Sequence, residues 1–100
     1  MKLEELSCLP GAELVLPGLA DLAAGRTTKE AMLVACASQA FRELGLLILG
    51  KLPARPEMEL YRMLAEEYGG EAHARYGAWV RRLVSFKHAL EFLVRHPSVR

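Results

Sequence analysis

Arg81, Ser85, His88, Phe92 and Arg95 follow one another at steps of four, three, four and three residues, so on a helix they share one face. Two guanidiniums and an imidazole on one side can contact phosphate, and the phenyl ring adds a stacking or packing surface. Three readings of this stripe stand: a solvated face, a face covered by a second subunit or by the N-terminal segment, and a contact site for an anion or nucleic acid. Arg75, Trp79 and Arg82 form a second basic and aromatic group. Such interleaving can bind nucleic acid by stacking and phosphate contact, but the favoured reading is a core Trp whose flanking arginines lay their stems along apolar surface.

Arg82 with His88, or Arg81 with His88, resembles the short Arg/His motif of HEPN-type helical ribonucleases. The resemblance covers this stretch of the chain and the all-α class. It implies that the Arg contacts the scissile phosphate while His88 assists proton transfer. The polar residue that follows the Arg in that motif is here Leu83 or Arg82.

Other chemical signatures fail on their own terms. The run from Gly45 to Lys51 satisfies most of the G-x-x-x-x-G-K-[ST] phosphate-binding pattern, but Leu52 stands where a hydroxyl would ligate magnesium, and four bulky apolar residues fill the loop. A buried connector is the expectation there. His73, His88 and His96 lack the i, i+4 spacing of a zinc helix, and neither a Ser nor a Cys nucleophile motif occurs. Cys8 and Cys36 lie too far apart for a CxxC pair and are read as reduced, packed thiols. No catalytic residue, cofactor or metal is called for.

These side chains need helices to hold them. The 100 residues fit one domain, 1–100, and 52% hydrophobic against 25% charged residues is enough apolar content to form a core. Leu (18) and Ala (14) dominate, while Val, Ile and Thr together number nine, so the backbone leans to helix. The expected fold is all-α: four or five helices in a small bundle or orthogonal array, with a long C-terminal helix as its spine.

Pro10-Gly11 and Pro17-Gly18 are turn signals, which leaves short helices near 2–8 and 18–24, the latter ending at Gly25. Thr27 with Glu30 reads as a capping box for a helix from Thr28 to Leu44, stopped by Gly45. Its first half, Ala31 to Ala37, is apolar or small all round and should be touched on more than one side. Leu46 to Leu52 is open between helix, strand and connector. Pro56 suits the first position of a helix over about 56–68, and Gly69-Gly70 interrupts before a last helix from about Glu71 to His96, ended by Pro97. Tyr76, Trp79, Val80, Leu83, Phe86, Leu90, Leu93 and Val94 make its broad apolar face.

Residues 1–50 carry four basic and six acidic side chains and residues 51–100 nine and six, so affinity for anions should lie in the second half. The start lacks a signal peptide's basic region, and Ser38, Gln39, Arg42 and Glu43 would be costly in lipid, which points to a cytoplasmic chain without a membrane partner. One Gln, no Asn and nine Arg against four Lys fit either a GC-rich genome or the loss of thermolabile amides, and a thermophilic bacterial source is the expectation. The function these features favour is a non-enzymatic interaction module that forms homo-oligomers, a dimer first. A nucleic-acid binder or HEPN-like ribonuclease using the basic stripe is the alternative, and a small-ligand regulator with a pocket between helices is a third class.

Overall fold

The computed structural model describes residues 3–96, all helices and connections. In order these are α1 (Leu3–Ser7), α2 (Ala12–Ala24), α3 (Lys29–Cys36), α4 (Ser38–Glu43), α5 (Pro56–Tyr68), a 3₁₀ turn (Gly69–Glu71) and α6 (Ala72–Arg95). Lys2, the expected start of the first helix, and Pro97, the expected stop after the last, lie outside the described residues.

The central helix is α3, which packs against α2, α5 and α6. Ala31 to Ala35 are all buried, as a segment apolar all round requires. Lys29 reaches across from the start of α3 to Glu67 on α5 and holds that carboxyl below its usual range. The core continues through Val15, Leu22, Leu60, Leu64, Leu83, Phe86 and Leu90, with Phe41 set edge-on to Phe86 at 5.7 Å between ring centres. The radius of gyration is 13.5 Å, near the ~13 Å expected for 100 residues. The 45 Å long axis exceeds the ~36 Å length of a 24-residue helix such as α6.

Three local expectations are corrected. Pro17 does not break the chain: α2 starts at Ala12 and runs through it to the expected stop at Gly25. Val15, Gly18 and Leu22 are buried, so packing outweighs the cost of a proline in the helix interior. The helix cap lies one residue later than Thr27: the Thr28 hydroxyl accepts from the amide of Ala31 at 3.1 Å and donates to Asp21 at 2.7 Å. Finally, the helix expected to reach Leu44 stops at Cys36, and Ala37 turns the chain into α4. Neither Gly nor Pro marks that turn. It redirects the chain so that Phe41 ends against Phe86.

From Leu46 to Leu49 the chain is neither helix nor strand. Leu46 and Ile48 enter the core while Leu47 and Leu49 face solvent, so the connector expected to be buried is buried only at alternate residues. Pro56 opens α5 at its first position, and the helix spans the expected 13 residues to Tyr68.

Candidate functional site

Arg81, Ser85, His88, Phe92 and Arg95 are all exposed, and the helix that carries them buries the opposite side through Leu83, Phe86 and Leu90. The face is therefore assembled as its spacing requires. Its electrostatics are weaker than its composition suggests. Arg95 is paired with Glu91 at 3.2 Å, and Arg82 next to the face is bound by Glu13 of α2. Arg81 and the His88 ring are the basic groups of the face that meet no carboxylate among the described residues.

Arg81 and His88 lie seven residues apart, two turns or about 10 Å along the axis. Arg82 is rotated well round the helix from His88, and its guanidinium is occupied by Glu13. A pocket of about 530 Å³ beside Arg81, lined by Pro10, Gly11, Ala78 and Ser85, contains this Glu13–Arg82 pair. The Arg82 charge is thus already met by Glu13, which leaves Arg81 as the cation of this pocket without a carboxylate partner among the described residues.

Phe92 is 58% exposed and touches the His96 ring, with centres 4.5 Å apart. Val84 on the same helix is 41% exposed. Val84, His88 and Phe92 stand at steps of four and form one ridge along the outer side of α6. In the second basic and aromatic group Trp79 lies at the edge of the core rather than within it, and Arg82 is held by Glu13. Trp79 is half-buried against the core, with the Lys29 ammonium 5.9 Å from its ring centre, and Arg75 lies over Tyr68 at 4.3 Å.

A second apolar patch was not singled out in the sequence. Met58 and Tyr61 are exposed on α5 beside Tyr76 of α6, whose ring centre is 5.5 Å from that of Tyr61. The signal was present: Leu60 and Leu64 account for the buried side of α5, which leaves Met58 and Tyr61 as large apolar residues on another side. Cys36 interacts electrostatically with Tyr76 of this patch. Burial, with Glu57 adding to it, pushes its thiol up to about 11, which keeps it protonated and poorly nucleophilic near neutral pH.

Among the described residues no group of three His, Cys, Asp or Glu side chains could hold a metal ion, and no helix is long and apolar enough to cross a membrane. The chain matches no protein-family model, no curated protein and no solved structure. What the structure defines is a small all-α domain with an exposed, partly apolar face on its longest helix.

Proposed function

We propose that the chain is a non-enzymatic interaction module that associates with a second copy of itself through the outer side of α6. The observation that carries this reading is the ridge Val84, His88, Phe92, which puts two exposed apolar side chains eight residues apart with His88 midway. Such a ridge is self-complementary. Two copies crossing antiparallel at His88 set Phe92 of each on Val84 of the other, an isologous contact with two-fold symmetry. The internal Arg95–Glu91 and Arg82–Glu13 pairs support it further, because they lower the net charge that the two copies would bring together.

The alternative, nucleic-acid binding or HEPN-like cleavage, needs cations free to meet phosphates. On this face Arg81 is the one guanidinium without a carboxylate partner among the described residues, whereas phosphate contacts act by their number. The test is light-scattering mass after replacement of Phe92→Ser and, separately, Val84→Ser. Each variant is expected to be monomeric at concentrations where the unaltered chain is dimeric. Dimers of unchanged affinity in both variants would overturn the reading.

A further inference from the structure

Where the end of α2, the start of α3 and the connector meet, a cleft of about 560 Å³ opens, within the size range of small-molecule sites. Leu22, Met32, Leu52, Pro53 and Ala54 give it apolar walls, and Arg26, Thr27, Lys51 and Glu59 stand around them. The wall is fixed in place: Gly50 seats against the carbonyl of Leu22, where any side chain would collide.

The charges at the cleft are unequal in what they have left to give. Arg26 is bound to Asp21 at 2.8 Å, and Glu59 to Arg62 at 2.8 Å. The last α2 carbonyls on this side, Asp21 and Leu22, already accept from the amides of Arg26 and Gly25. Lys51 has no carboxylate partner and Thr27 no hydrogen bond among the described residues. The amides of Lys51, Leu52 and Ala54 in the cleft wall likewise donate to nothing among the described residues. The apolar space is therefore edged by uncommitted donors, one of them cationic, and by no uncommitted carboxylate.

We propose that this cleft binds a small monoanion with an apolar body, a medium-chain or aromatic carboxylate. The apolar body fills the space between Leu22, Met32 and Leu52, and the carboxylate accepts from Lys51 and Thr27 at the rim. The site shares no residue with the outer face of α6, so it stands or falls independently of self-association.

The test uses octanoate below its micellar range, titrated into the isotopically labelled chain and read at the amide resonances. Saturable shifts are expected at Leu22, Gly25, Thr27, Lys51, Leu52 and Ala54. Octanol and octyltrimethylammonium should bind more weakly than octanoate. Lys51→Met, which keeps the apolar stem, should weaken octanoate by about three- to fivefold and leave octanol unchanged. Absence of saturable shifts at these amides, equal affinity for the three probes, or octanoate binding unaffected by Lys51→Met would each overturn the proposal.

Discussion

The main-chain carbonyl of Glu30 lies directly against the α-carbon of Gly18, with the Val34 side chain beside it. The two helices that meet there, α2 and α3, form the base on which the rest of the domain is packed. A methyl group at Gly18 would collide with backbone that has no room to retreat. Gly18→Ala should therefore cost roughly 1–3 kcal/mol through overpacking, and each kcal/mol lowers the thermal midpoint of a chain this size by about 4–8 °C. Gly70→Ala, which meets open space, is the control and should leave the midpoint unchanged. A Gly18→Ala protein as stable as the unaltered chain would refute this crossing.

Thr28, not Thr27, caps α3, so the two threonines should differ sharply on truncation. Thr28→Ala loses an acceptor for the Ala31 amide and a donor to Asp21, and should destabilise the domain by about 1 kcal/mol. Thr27→Ala should be close to neutral. Denaturant unfolding of the two variants side by side decides it, and a larger loss at Thr27 would restore the capping box to that residue.

Asp21 makes part of the stability pH-dependent. The Thr28 hydroxyl first, and then Arg26, hold its carboxyl below the usual aspartate range. A depressed folded-state value means that the stabilisation is fully present above the unfolded value of about 3.9 and is lost as pH falls through the lower folded value. Glu59 and Glu67, lowered by Arg62 and Lys29, act in the same direction. Stability measured from pH 6 down to about pH 2 should therefore fall, and Asp21→Asn should flatten that fall. An unchanged acid slope in the variant would remove Asp21 from the account.

The two thiols should differ in reactivity. Cys8 is exposed, whereas Cys36 is half-buried with its thiol pushed up to about 11. At pH 8 only about one Cys36 in a thousand is thiolate. Iodoacetamide should modify Cys8 first, with Cys36 reacting at a comparable rate only in denaturant, as mass spectrometry of the single Cys→Ser variants would reveal. Equal native rates would contradict the burial of Cys36.

Where the chain carries its own punctuation, the fold was legible in the sequence. Pro56 and the Gly69-Gly70 pair bound α5, and the long apolar period from Tyr76 to Val94 marks α6, although Val94 itself is exposed, and places Arg81, Ser85, His88, Phe92 and Arg95 on its outer side. Where packing overrides local preference it was not. Nothing near Ala37 announces the turn that brings Phe41 to Phe86, and Pro17 reads as a breaker until α3 is known to lie against Gly18. The site shows the same division. Helical spacing puts the residues of the outer face together, but the neutralisation of Arg82 by Glu13, 69 residues away, has no local trace. The cleft of Leu22, Met32 and Lys51 likewise draws on three separated segments, which no single motif records.

In the proposed dimer the face bearing Val84 and Phe92 meets the same face of a second copy. The most direct measurement is the light-scattering mass of the unaltered protein across a concentration series. The mass should rise from the 11.1 kDa of one chain to twice that value. A mass that stays at 11.1 kDa throughout the series would contradict it.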